Sequence, residues 1–150
     1  MGAHTAHPPL HTAEHLLTRL LHERFPDLTD FQTRLKSRKG VISFTYGGRM
    51  TEADRLALEQ ALQQISTDAL PVTVGFLPRA EAEARLPNMF QVPDDADPVR
   101  VVRVGEGEKV ADERACIGTH VANTADIVNT RLPTLREEEP GRWRVTLVVG

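Results

Sequence analysis

Two short strings of metal-ligand type, far apart in the chain, constrain the fold more than any other feature of the sequence. The first is His11-Thr12-Ala13-Glu14-His15, followed by Leu16-Leu17; the second is Cys116-Ile117-Gly118-Thr119-His120-Val121. In a helix, residues four apart stack on one face about 6 Å apart along the axis, so His11 and His15 can aim two imidazoles at one point. Cys116 and His120 repeat that spacing with a thiol and a third imidazole. One sulfur and three nitrogens make a donor set that Zn2+ accepts at tetrahedral geometry. Each pair alone has an ordinary reading, a hydrogen-bonded helix face or a small buried thiol. Together they require a fold that closes both ends of the chain around one pocket. His22 lies on the face of His11 and His15 but about 10 Å past His15, too far to share an ion. His4 and His7 stand in a Pro-flanked lead, residues 1–9, that is expected to be flexible.

Composition narrows the function classes. A chain of 150 residues suits a single domain with one sizeable core. No apolar run approaches the roughly 20 residues of a membrane span, and no basic segment followed by a hydrophobic stretch opens the chain. The single Cys excludes an internal disulfide, so a reducing, cytoplasmic setting is expected, where a thiol stays available as a ligand. The net charge of −3 is not that of a general nucleic-acid binder, so any contact with RNA has to be local.

The hydrophobic pattern predicts a helix over Thr12–Phe25, with Leu16, Leu17, Leu20 and Leu21 as one apolar stripe and Pro26 as its end. The histidines then point almost opposite the stripe, into a cleft that the Cys116–His120 segment can line. Strands are predicted over Phe31–Leu35 and Val41–Tyr46, joined by the turn Ser37-Arg38-Lys39-Gly40. Thr51-Glu52-Ala53-Asp54 resembles a capping box opening a helix that carries Leu58, Leu62 and Ile65. A strand over Val72–Leu77, a short helix over Ala80–Leu86, a loop from Asn88 to Pro98 and a strand over Val99–Val104 follow. Gly105 to Glu113 reads as a mobile approach, and Ile127–Leu135 and Trp143–Val149 as closing strands with Glu137–Gly141 between them. The pattern predicts an α+β fold, a two-layer sandwich with helices on one face of a largely antiparallel sheet.

With both strings placed, the chain resembles the metal-dependent editing domain shared by alanyl- and threonyl-tRNA synthetases and by free-standing alanyl-tRNA editing proteins. His-Thr-Ala-x-His-Leu-Leu near the start, Cys-x-Gly-Thr-His-Val near the end, and the following Asn123-Thr124-Ala125-Asp126-Ile127 are similar to that family's signatures in order and separation. Thr119 favours the alanyl branch, where Gly-Thr-His stands in place of Gly-Pro-His. The sequence departs from the family at Ile117, often a glycine, and at Ala125 and Val128, where two glycines are replaced. The resemblance covers roughly Leu10–Ile127 and implies a minimal, free-standing editing domain without a tRNA-reading appendage.

The resemblance further implies hydrolysis of the ester between serine or glycine and the terminal adenosine of alanine tRNA, with His11, His15, Cys116 and His120 as zinc ligands. It places Gln32 near the scissile ester, gives Gln32 and Thr119 catalytic roles, and sets Gln32, Thr45, Ile117 and Gly118 against the substrate. A hydrogen-bonding group for the serine hydroxyl would reject alanine, and Thr45 and Gln32 are the candidates. Arg34, Lys36 and Arg38 alternate, and if the strand runs that far they share a face that can meet the backbone of the tRNA acceptor end. Four protein ligands would saturate a tetrahedral ion, so either Cys116 or His120 is weakly held or the metal only shapes the pocket. Two rivals remain. One is a non-catalytic, zinc-stabilised module that binds tRNA or a synthetase. The other is an inverted-motif zinc peptidase, since His11-Thr12-Ala13-Glu14-His15 fits H-x-x-E-H with Glu14 as base and Glu81 or Glu83 as third ligand.

Overall fold

The computed structural model describes residues 7–150, and the expectation of mobility for His4 lies outside the described residues. Helix α1 spans Pro8–Arg24, starting one turn earlier than the apolar pattern predicts. Pro8 and Pro9 occupy its first turn, where no intrahelical N–H bond is needed and a φ fixed by the ring suits the helix. The expected flexible lead therefore stops short of these residues, and both His11 and His15 sit on regular helical turns. The first half of α1 is buried on nearly every side: Leu10, Ala13, Leu16 and Leu17 enter the core, and His11, Thr12, Glu14 and His15 are buried as well. One side of it meets a core and the other meets a second chain segment.

Strands β1 (Thr29–Lys36) and β2 (Lys39–Thr45) form a hairpin closed by Ser37 and Arg38, with Ser37 at a φ of 56°. Helix α2 (Glu52–Thr67) opens with the predicted capping box: the Asp54 N–H donates to Thr51 Oγ1 and the Thr51 N–H to Asp54 Oδ2. Then come β3 (Val72–Leu77), α3 (Arg79–Arg85), β4 (Val99–Glu106) and β5 (Lys109–Ala115). Strands β6 (Leu135–Glu139) and β7 (Arg142–Val148) close the chain.

All pairings are antiparallel, as predicted, but the strands divide between two sheets ordered β1-β2-β7-β6 and β3-β4-β5. The inner face of the four-stranded sheet presents Ile42, Phe44, Trp143, Val145 and Leu147 to α1 and to Leu58 and Leu62 of α2, forming the main core. Helix α3 packs through Ala82 on Val99, Val101 and Ala115 of the other sheet, a smaller second cluster.

Two predicted elements are corrected. The polar stretch from Gly105 is the turn and second arm of the β4–β5 hairpin rather than a mobile approach. Gly105 takes a φ of 99° and leaves no room for a side chain, since a Cβ there would lie 1.8 Å from the Lys109 carbonyl oxygen. The inward positions of β5 carry Asp112, fully buried, and Arg114, which defeats a search for apolar alternation. The predicted strand over 127–135 is instead a connecting segment with one isolated bridge, Arg131 to Val148. Asn129, at a φ of 52°, and Pro133 break it, and the strand falls one segment later, through Glu139.

Glu113 of β5 ties the second sheet to α3: Arg85 Nη2 lies 2.6 Å and Arg103 Nη2 2.7 Å from its Oε2. The hydrogen bond from Arg85 holds its carboxyl below the usual carboxylate value, with Arg103 acting in the same direction against burial. A depressed folded pKa contributes stability above the unfolded value near 4.5, and that contribution is lost as pH falls through the folded value. Glu113→Gln is therefore expected to lower stability at pH 7 by about 1 kcal/mol, a modest figure because solvent screens part of the pairing. The gap between the thermal melts of the two proteins should narrow as pH falls below the unfolded value near 4.5; an equal gap at pH 3 and pH 7 would contradict the assignment.

Candidate metal centre

His11 and His15, one turn apart on α1, meet Cys116 and His120 from the segment that follows β5. One donor atom from each of the four lies within 4.8 Å of the others, a cluster that can hold a metal ion. Cys116 Sγ is 3.7 Å from His11 Nε2 and 3.4 Å from His120 Nε2. A tetrahedral ion with ligand bonds of 2.0–2.3 Å sets neighbouring sulfur and nitrogen donors about 3.6 Å apart, so these spacings fit such an ion. The three rings lie 4.2 to 4.8 Å apart between centroids.

Two of the three rings are oriented from behind. His11 Nδ1 is 3.2 Å from the Thr119 carbonyl oxygen, which can only accept, so Nδ1 carries the proton and Nε2 keeps its lone pair for the cluster. His120 Nδ1 lies 2.9 Å from Thr12 Oγ1, and the Val121 N–H donates to the same oxygen at 3.2 Å. With Nδ1–H donating to Thr12, His120 likewise offers Nε2 to Cys116. His15 Nδ1 is buried without a hydrogen-bond partner, an orphan of the kind that a ligand relieves. Gly118 is required by packing: a Cβ there would lie 2.1 Å from His11 Cε1.

The electrostatics keep the His15 and His120 imidazoles in ligand form. Burial drives His120 down to about 3, helped by repulsion from His11, Arg100 and Arg114. Burial also drives His15 well below its ordinary value, with Arg114, His120 and His11 adding to the shift. Both imidazoles are thus neutral near pH 7. Burial pushes the Cys116 thiol up, while the Gly118 N–H, donating to Sγ at 3.4 Å, pulls it down. Arg100 of β4 holds the loop by donating from Nη1 to the carbonyls of Cys116 (2.7 Å) and Gly118 (3.0 Å). Arg114 of β5 grips Asp112 and reaches the His15 carbonyl at 3.4 Å, joining β5 to α1 beside the cluster.

Among the sequence-predicted site residues, the structure gathers His11, His15, Cys116 and His120, with Gly118 against the His11 ring and Thr119 behind it. Ile117 stands at the lip of the cluster, 67% exposed. Gln32 and Thr45 are not brought to the four ligands. Both lie on the outer face of the β1–β2 hairpin, Thr45 hydrogen-bonded to Arg142, and it is Thr33 of β1 that turns toward Glu14 of α1. Arg34 and Lys36 share that outer face with Gln32. Arg38 does not, because β1 ends at Lys36 and Arg38 sits in the turn. Glu81 and Glu83 are on α3, paired with Arg85 and Arg79 and outside the cluster. Burial raises the Glu14 carboxyl to about 7, with Arg114 opposing. Glu14 lies beside the cluster and outside the ligand-type group, and with Glu81 and Glu83 on α3 the peptidase reading loses its third ligand.

The sequence reading missed Thr12, Arg100 and Arg114. Thr12 lies within the first string and was legible only as filler. Arg100 had no signal, because its role depends on strand register. Asn123 and Thr124 prove structural: Thr124 Oγ1 donates to the Ile65 carbonyl and accepts the Leu70 N–H, pinning the end of α2.

Residues 99–146, from the start of β4 into β7 with Cys116 and His120, match the family described as the threonyl and alanyl tRNA synthetase second additional domain. The alanyl-tRNA editing protein Aarsd1 of Mus musculus is 33% identical over 122 residues, which cover 81% of this chain and 28% of that protein. The chain belongs to the alanyl-tRNA editing domain family. Alanine–tRNA ligases match this editing domain over still more of its length. The ligase of Mycoplasmoides gallisepticum is 26% identical over 142 residues, 92% of this chain, and that of Ignicoccus hospitalis 29% over 144 residues, 93% of it. The chain spans 15% of each ligase, so it corresponds to one part of those larger proteins.

Replacing Thr12 by Val removes the acceptor behind His120 at nearly constant volume. A competition titration with a chromophoric chelator is expected to show metal affinity reduced 10- to 100-fold in Thr12→Val. Unchanged affinity would mean that His120 needs no orientation from α1.

Proposed function

We propose that this editing domain binds zinc through His11, His15, Cys116 and His120 and hydrolyses the ester between a wrongly attached amino acid, serine or glycine, and the terminal adenosine of alanine tRNA. The observation that carries the reading is the convergence of four donors from opposite ends of the chain, two of their rings turned ligand-side inward by Thr119 and Thr12. The family of the chain supports the substrate class. Work on tRNA gives the cytoplasm as its proposed setting. Among the described residues no helix is long and apolar enough to cross a membrane.

Zinc, when bound, supplies a Lewis acid and a template for an ester already activated by the neighbouring ammonium group. The protein's own part is to hold, orient and expose. His11 and His15 are buried and fixed on α1, whereas Cys116 and His120 are half-buried, which places the open side of the cluster at the 116–120 loop. That asymmetry supports Cys116 or His120 as the more weakly held ligand. Arg100 fixes the loop carbonyls and so sets where Gly118 and Thr119 flank the entering ester. Gln32 and Thr45 remain the proposed polar contacts of the substrate from the sheet side, although a substrate would have to extend past the β1 edge to meet them. A saturated site that only staples the fold is the second reading, favoured by the count of four protein donors.

Release of labelled amino acid from Ser-tRNA, Gly-tRNA and Ala-tRNA of the alanine type, with and without chelator, tests the proposal. Serine or glycine is expected to be released far faster than alanine. Chelation should cost at least 100-fold, and so should Cys116→Ala. Glu14→Gln should keep most of the activity. Release of none of the three amino acids by metal-loaded protein would leave the stapling module, and loss of activity in Glu14→Gln would revive a general base at that position.

A further inference from the structure

Among the described residues, no helix covers one face of the four-stranded sheet. Helices α1 and α2 lie on its inner face, and α3 packs on the other sheet. On the outer face the register aligns Gln32, Ser43, Arg144 and Arg136 in one row across all four strands. The next row carries Arg34, Val41 and Thr146, and the third Lys36, Lys39 and Val148; Arg142 stands at the other end beside Thr45. Six cationic side chains therefore share one open face of a chain whose net charge is −3. Among the described residues, Arg34, Lys36 and Lys39 make no ion pair. Arg136 and Arg144 share a single carboxylate, Glu138, at 3.5 and 3.3 Å. The register also sets Glu139 opposite Arg142, and Asp30 stands at the β1 bulge.

We propose that this face docks the phosphate backbone of duplex RNA, the helix from which a single-stranded 3′ end runs to the metal cluster. The inference rests on the deacylase reading and locates the helix that the reading needs. No aromatic side chain stands on the outer face: Phe31, Phe44 and Trp143 all turn inward. Single strands are held by stacking on aromatic rings, whereas A-form duplexes are held through shape, phosphates and 2′-hydroxyls. Polar Gln32, Ser43 and Thr146 between the cations suit the second mode, and the lack of apolar cover argues against a protein helix. Alternate residues of a strand stand about 6.6 Å apart and neighbouring strands about 4.8 Å, so the cations form a grid rather than one cluster. The β1 edge leads to the metal: Thr33, next in sequence to Gln32, turns inward onto Glu14, which lies between His11 and His15 on α1. A 3′ end passing round this edge goes from the basic face to the four ligands.

The test measures binding of an uncharged, fluorescein-labelled hairpin carrying the acceptor stem of alanine tRNA, by anisotropy, from 50 to 200 mM salt. Arg34→Gln with Lys36→Gln forms one double variant, Arg136→Gln with Arg144→Gln the other, and Lys109→Gln, on the β4–β5 hairpin, is the control. Each double variant is expected to raise Kd at least 10-fold and to reduce the slope of log Kd against log salt by about 1.8, the counterion release of two duplex phosphate contacts. The control should match the unsubstituted protein, and thermal melts should show every variant folded. Unchanged binding in either double variant would overturn the proposal, as would an equal loss in Lys109→Gln. Equal competition by polyglutamate would assign the face to an acidic protein and also overturn it. The hairpin bears no amino acid, so its binding is independent of hydrolysis. Charge-dependent binding without deacylation would defeat the deacylase reading alone, and deacylation with charge-independent binding would defeat this surface alone.

Discussion

The structure turns on the contact between the first helix and the segment after β5. Thr12 Oγ1 receives the Val121 N–H and, at 2.9 Å, the Nδ1 of His120, while the Thr119 carbonyl receives His11. These bonds join residues more than a hundred positions apart, and the loop-closure entropy of that join is met only when the whole intervening chain is folded. The contact brings three imidazoles, those of His15 and His120 neutral, and a thiol within reach of each other. Such an arrangement of buried lone pairs is unfavourable unless something positive sits among them. The orphaned Nδ1 of His15 is the local sign of that need.

Around the cluster, charge is used sparingly and at close quarters. Asp112 and Arg114 face α1 from β5, and Arg19 of α1 approaches Asp112 at 3.7 Å. Replacing a buried pair by apolar residues is often neutral for stability, so its value here is better assigned to registration of β5 against α1 than to net energy. The strand that carries Arg114 leads directly into Cys116, and Arg100 on its neighbour holds the Cys116 and Gly118 carbonyls. Two arginines with separate partners thus fix the loop on which half of the ligand set depends.

Much of this was legible in the sequence because spacing and chemistry are local properties. The His11–His15 pair, the capping box at Thr51, strand β3 and the alternation of β2 are read from neighbours a few positions apart. The clustering of His11, His15, Cys116 and His120 was legible as a coincidence of two rare pairs. What could not be read depended on register or on charge hidden inside. Strand β5 was missed because Asp112 and Arg114 occupy the positions where apolar residues mark a strand. The segment 127–135 was read as a strand because Asn129 and Pro133 do not reveal their conformations in an apolar count. Gln32 and Thr45 carry suitable groups, but the pleat turns both to the outer face, a matter of strand phase that one misplaced bulge reverses. The basic outer face was half visible, in Arg34 and Lys36; its other half comes from β6 and β7, which only long-range pairing brings alongside.

X-ray absorption at the zinc edge, on protein carrying one equivalent of metal, tests the central claim most directly. The account predicts one sulfur at about 2.3 Å and nitrogen ligands at about 2.0–2.1 Å, with the sulfur lost in Cys116→Ala and a nitrogen lost in His15→Ala. A spectrum of oxygen ligands only, unchanged by either substitution, would contradict it.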